Sequence, residues 1–144
     1  PWSCWPFPCS MPISPLDLLR LARQLGQHTN DEASVRSAVS RAYYAGLHAT
    51  EQTFPSRQRM GNESSHAEII GGATVHSKGS NPGRSAAAQI ALMLGKLRRM
   101  RNAADYDIDK AFISAQECEA VLLRSQEILS LCEEVAQKLA ESQD

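Results

Sequence analysis

Lys96 to Tyr106 reads KLRRMRNAADY, four of the chain's fifteen basic residues within six positions, followed by Asn102 and an Asp105-Tyr106 pair. Arginine is permanently charged and offers a planar fork of donors, so Arg101 beside Asn102 is suited to binding and polarising a phosphate. The Asn102 amide adds a donor or acceptor for a ribose hydroxyl. Cleaving RNA without a metal also requires an acid or base that titrates near neutrality, which is normally histidine. The residues four to seven places after Arg101 are Asp105, Tyr106, Asp107 and Ile108. Unperturbed, an aspartate titrates at about 4 and a tyrosine at about 10. Three readings follow from the stretch itself. Lys96, Arg98, Arg99 and Arg101 form a phosphate-binding helix end; or Arg101, Asn102, Asp105 and Tyr106 form a cleaving centre; or Asp105 pairs with an arginine and Tyr106 packs on the fold with its hydroxyl bonded.

The histidines bear on the choice. His66 lies near the start of a short helical stretch and could face the Arg101 end. Arg41 and His48 fall seven residues apart, hence on one helix face about 10 Å apart. The same spacing recurs at Arg59 and His66, so the spacing alone carries little. Tyr43 and Tyr44 point to neighbouring faces of one helix. One belongs in a core and the other at a subunit interface, with stacking on an RNA base as a second use. Cys118 and Cys132 lie about 21 Å apart along a single expected helix, beyond disulfide reach, and read as small core residues in a reducing cytoplasm. No close cysteine pair precedes a histidine pair, so neither a metal nor another cofactor is expected.

The elements that position these residues read as helices. Apolar residues make up 42% of the 144, chiefly Ala, Leu and Ile, with few aromatics, which suits a helical core rather than a β-sandwich. Ser14-Pro15-Leu16-Asp17 caps a first helix that Gly26 closes. Thr29 with Glu32 has capping-box spacing and opens a second helix, ended by Pro55. Its stripe of Val35, Ala38, Val39, Ala42, Ala45, Gly46 and Ala49 favours close approach of a neighbour. Residues 55–63 read as loop. A short helix spans Ser65 to Ile70 and breaks at Gly71-Gly72. After a soft stretch from His76 to Gly83, Asn81-Pro82 opens a long helix with Ala86, Ile90, Met93, Leu97, Met100 and Ala104 inward. The cations lie beside or opposite that stripe, in a last turn where they suit the helix dipole. Ser114 with Glu117 caps a final helix to about Ala140. Its buried side is Cys118, Val121, Leu122, Ile128, Leu131, Cys132, Val135 and Leu139. The sum is an all-α, up-and-down bundle of four or five helices spanning residues 11–140, with a polar tail at 141–144.

Residues 1–10, PWSCWPFPCS, differ in composition from the rest. They are expected to be a leader foreign to the fold, with Met11 as the native start, or else a flexible proline-rich arm that docks on a partner. The formal net charge of −1 excludes a molecule that binds nucleic acid by its overall charge, so any basic site is local. No run approaches the eighteen or so apolar residues of a membrane span. A cytoplasmic location without membrane contact is expected.

SRAYYAGLHAT (40–50) followed by LRRMRNAADYD (97–107), each on a long helix, resembles the HEPN superfamily. The likeness is to the branch whose signature ends in Ala-Asp-Tyr, and it covers Met11 to about Ala140. The first segment looks like that family's Arg-Ala-Tyr-Tyr-Ala-x-x-His element, and His66 resembles a histidine of its short third helix. The resemblance implies a bundle of four or five helices that pairs as a homodimer. It implies a role in a prokaryotic defence or toxin–antitoxin system, in some cases beside a minimal nucleotidyltransferase. Nuclease members carry an arginine, a polar residue and, a few places on, a histidine, and two copies meet to cut RNA without metal. Arg101 matches that arginine and Asn102 the polar residue, while Tyr106 stands where the histidine is expected. Three functions follow as expectations. The first is a module that binds RNA, a nucleotide or a cognate partner such as an antitoxin through Lys96, Arg98, Arg99, Arg101 and His66. The second is a metal-independent endoribonuclease toxin using Arg101. The third is a structural partner of a nucleotidyltransferase, with Tyr106 as the group modified.

Overall fold

A computed structural model describes residues 12–54, 65–110 and 113–144. Five helices follow in order: α1 (Pro15–Gly26), α2 (Glu32–Thr53), α3 (His66–His76), α4 (Arg84–Tyr106) and α5 (Ala115–Glu141). The described residues contain no strand, and none of the helices is long and apolar enough to cross a membrane. The expectations for the leader, for the loop at 55–63 and for Pro55 fall outside the described residues.

Side-chain caps set most helix starts. Ser14 with Asp17, Ser65 with Glu68 and Ser114 with Glu117 each form a reciprocal capping box. At α2 the expected Thr29 box does not form. Asp31 caps instead, its carboxylate accepting from the Ala33 amide at 3.1 Å, because it stands next to the first helical residue. Gly26 does not stop α1 by a left-handed turn either, since only Gly79 and Gly83 have positive φ among the described glycines. A Cβ at Gly26 would come within 3.1 Å of Leu122 Cδ1, so this glycine lets α1 close on α5.

α3 continues through Gly71-Gly72 to His76 rather than breaking there. Gly72 packs against the Phe54 carbonyl, 3.4 Å from where its Cβ would be, and His76 lies on the Phe54 ring at 5.0 Å. Tertiary contact thereby outweighs the low helix propensity of two glycines. α4 begins at Arg84, two residues after Pro82. Asn81 turns its side-chain amide back to the carbonyls of His76 and Lys78, and Gly83, at φ 73°, makes the entry.

The four long helices run up, down, up and down. Arg36, near the start of α2, bonds carbonyls at the end of α4. Gly83, before α4, lies against Val135 late in α5, and Gly26, ending α1, lies against Cys118 early in α5. α3 runs in the same direction as α2, its first residue His66 beside Tyr43 and its last, His76, on Phe54. α2 packs on all four other helices, and α2 and α5 meet across the bundle's short diagonal. Small residues permit this: Ser125 Oγ donates to the Ala42 carbonyl at 2.6 Å, and a Cβ on Gly46 would meet Ile128 at 3.3 Å. The small-residue stripe read from the sequence is therefore the seam on which the bundle closes. Tyr43, Ile90, Leu94, Leu97 and Ile128 are fully buried around it, each aliphatic contributing about 1.5–3 kcal/mol by leaving water. Cys118 and Cys132 are free and buried, and burial pushes both thiols up.

Candidate functional site

The buried stripe of α4 is Ala86, Ala87, Ile90, Leu94, Leu97, Arg101 and Ala104. Arg101 thus occupies a core position rather than one beside or opposite the stripe. Met93 and Met100 are only partly buried, and Leu94 takes the inner place. The cations do not form one patch. Lys96 and Arg99 are exposed, Arg98 is half-buried and Arg101 is 5% exposed. None of them is in the last turn, because α4 continues to Tyr106.

Arg101 is enclosed by aromatic rings. Its guanidinium carbon lies 5.2 Å from the Tyr43 ring centre, 5.5 Å from Tyr44 and 5.6 Å from Tyr106, within cation–π range. Nη1 donates to the Tyr106 hydroxyl at 3.2 Å and lies 3.7 Å from Asp105 Oδ2. Nη2 is 3.0 Å from His66 Nδ1. Nε is buried and has no hydrogen-bond partner among the described residues. Burial opposes the charge on Arg101, but the Tyr106 hydroxyl and the neighbouring tyrosines hold its pKa above the ordinary value.

These contacts fix the state of His66. A guanidinium only donates, so Nδ1 must accept, and the imidazole is neutral with its proton on Nε2. The Tyr43 hydroxyl, also 3.0 Å from Nδ1, donates into the same lone pair. Burial of Tyr43 raises its pKa, which keeps that hydroxyl protonated. Burial first, then the charges of Arg101, Arg98 and His48, lower the His66 pKa. Its Nε2–H is the free donor, with no bond among the described residues. Around this centre lie Arg41, 5.3 Å from the Tyr44 ring, and His48, whose ring stacks on Tyr44 at 6.2 Å and lies 3.7 Å from Glu51.

The remaining site expectations divide. His66 faces Arg101 as the sequence suggests. Asp105 pairs with an arginine, as one reading required, and also accepts from Ser40 Oγ at 3.2 Å. Tyr106 has its hydroxyl bonded but does not pack away: it is 70% exposed. Asn102 points to solvent. Tyr43 is the core tyrosine and Tyr44 is half-buried.

Sequence reasoning missed Arg36, which positions the end of α4. Its Nη1 donates to the carbonyls of Ala103, Ala104 and Asp107 at 3.0–3.2 Å, and its Nη2 to Lys110 at 3.1 Å. Nε bonds Glu32 Oε1 at 2.7 Å. The signal was present: Arg36, Ser40, Tyr43, Leu47 and Thr50 recur at helical steps and are all buried. An arginine at a core register, twice in one chain, marks a charge held for a purpose other than solubility. Among the described residues no group of three His, Cys, Asp or Glu could hold a metal ion. The chain matches no family model, and no curated protein or solved structure matches it.

Proposed function

We propose that the chain is a HEPN-like module that binds RNA or a nucleotide by a phosphate group, paired with a second copy in a prokaryotic defence or toxin–antitoxin setting. Arg101, Arg98 and His66 form the phosphate end. One observation carries this reading: a buried guanidinium with an unpaired Nε and its carboxylate 3.7 Å away. A buried unsatisfied donor costs about 1–3 kcal/mol, and an apolar residue in that register would avoid the cost. A phosphate oxygen is an acceptor of the kind Nε lacks, and the His66 Nε2–H is a second donor without a partner among the described residues. Holding fits this chemistry better than cutting. His66 has its one lone pair engaged by Arg101 and Tyr43, so it lacks the free base that attack by a ribose hydroxyl requires.

A second reading is the metal-independent endoribonuclease. The 3.0 Å contact of His66 with Arg101 favours it, because a bound phosphate that drew Arg101 away would free Nδ1 as a base. One set of variants separates the two. Fluorescence anisotropy with single-stranded RNA at low salt should give measurable affinity, reduced at least about tenfold by Arg101→Met with Arg98→Ala. The thermal midpoint of Arg101→Met should be unchanged or higher, since an apolar side chain replaces a poorly satisfied charge. Unaltered RNA affinity in the double variant would sink the phosphate reading. Cleavage that is lost in both Arg101→Met and His66→Gln would establish the nuclease instead.

A further inference from the structure

Tyr106 is exposed in an unusual way. It ends α4 with 70% of its surface in solvent. Leu92 and Val75 are comparably exposed, and single exposed apolar side chains need no explanation. Tyr106 differs because it is tethered. Its hydroxyl accepts from Arg101 Nη1, and the Arg101 guanidinium lies 5.6 Å from its ring centre. The turn beneath it is pinned by Arg36 through the carbonyls of Ala103, Ala104 and Asp107. A ring fixed at its hydroxyl and at its backbone, backed by a cation and otherwise open, has already lost the freedom that binding would take from it.

We infer that Tyr106 is a stacking platform for an unpaired nucleobase, so that the ligand is single-stranded RNA rather than a duplex. This rests on the phosphate reading above and adds the base to it. A duplex hides its base faces, whereas a single strand presents them, and aromatic side chains are what proteins stack them on. The charges sort the two halves of a nucleotide. Asp107 and Asp109 follow the ring along the chain and disfavour a phosphate there, whereas the Asp105 carboxylate is turned to Arg101 and Ser40. Arg98, Arg101 and His66 lie on the α3–α4 side and favour one. The base therefore covers the ring and its phosphate reaches inward. A second copy of the chain is a poorer cover for Tyr106, because two such acidic turns would oppose each other.

Anisotropy of the full chain with labelled strands of about ten nucleotides tests this. The strands are oligoadenylate, an abasic ribose-phosphate strand of equal length, and a duplex. Tyr106→Ala should weaken oligoadenylate binding about five- to a hundredfold. Tyr106→Phe, which keeps the ring but loses the hydroxyl tether to Arg101, should fall between the parent and Tyr106→Ala. The abasic strand should bind the parent and Tyr106→Ala alike, and the duplex should bind more weakly than oligoadenylate. If Tyr106→Ala holds oligoadenylate as the parent does while Arg101→Met has lost it, stacking is wrong and phosphate binding stands. If the parent binds no strand, both fail together. If Tyr106→Ala alters only the mass measured by light scattering, the ring is a protein contact and the inference is overturned.

Discussion

At the scale of the residue, Arg101 and His66 hold each other in one charge state. The arginine can only donate, so His66 Nδ1 can only accept and the imidazole must stay neutral. Protonating His66 would set a second cation 3.0 Å from the first, with Arg98 also near. The folded state therefore binds this proton less readily than the unfolded chain, whose histidine titrates at about 6.5. Between that value and the lower folded midpoint the unfolded state carries more protons, so stability rises with pH across the window and levels off above it. As pH falls below about 6.5 the contribution of His66 is progressively lost. Proton NMR should give His66 a midpoint below that of a free histidine, and Arg101→Met should bring it upward. A His66 midpoint at or above the free value would show that the contact does not persist in solution. The sequence made both residues suspects and even suggested that they meet. It could not show that Arg101 is inside, because its run of neighbouring cations looked like a solvated face.

At the scale of the element, α4 was legible in its middle and not at its ends. Its periodicity fixes the helix, but the three- and four-residue steps from Ala86 fit Met93 and Met100 as well as Leu94 and Arg101. Only the packing of α2 and α5 against one side decides between them. The start was misleading for a different reason. Asn81-Pro82 has the composition of a cap, yet the Asn81 amide is spent on the turn before it. The entry falls to Gly83, whose left-handed φ of 73° also brings it under Val135. Gly83→Ala should lower stability by about 1–2 kcal/mol for the left-handed backbone alone. The added Cβ would also sit 3.0 Å from Val135 Cγ2. Denaturant unfolding measures the loss, and a change below about 0.5 kcal/mol would mean that the turn refolds without strain. Gly71→Ala is the internal control, since its Cβ would meet nothing within 4 Å.

At the scale of the whole molecule, the all-helical class and three of the five helix starts followed from composition and local caps, while the caps of α2 and α4 fall two residues later than the sequence suggests. The diagonal seam of Ala42, Gly46 and Ser125 was half visible, because small residues announce close approach without naming the neighbour. The insertion of α3 alongside α2 was not visible, since no local signal records direction. The charge distribution has a consequence for binding. On the proposed reading, a chain with net charge −1 whose cations beside His66 are Arg98 and Arg101 would engage few phosphates at once. With His66 neutral and Arg98 and Arg101 as the cations of that end, the logarithm of RNA affinity should fall against the logarithm of salt with a slope of about −1.4, taking about 0.7 per phosphate for a single strand. A slope steeper than about −5 would require a far broader surface than this end provides. The Arg36 clamp carries one more consequence. α4 ends in Asp105-Tyr106 and is capped by Asp107, which sets two carboxylates at the end of a helix where the dipole disfavours them, and its last turn holds no base. The missing countercharge arrives from α2, 67 residues earlier in the chain. Excised as a peptide, α4 would fray from Arg101 onward and the ring of tyrosines would scatter with it. The Arg101 end is thus no portable motif; it exists only where two distant stretches of chain have already found each other.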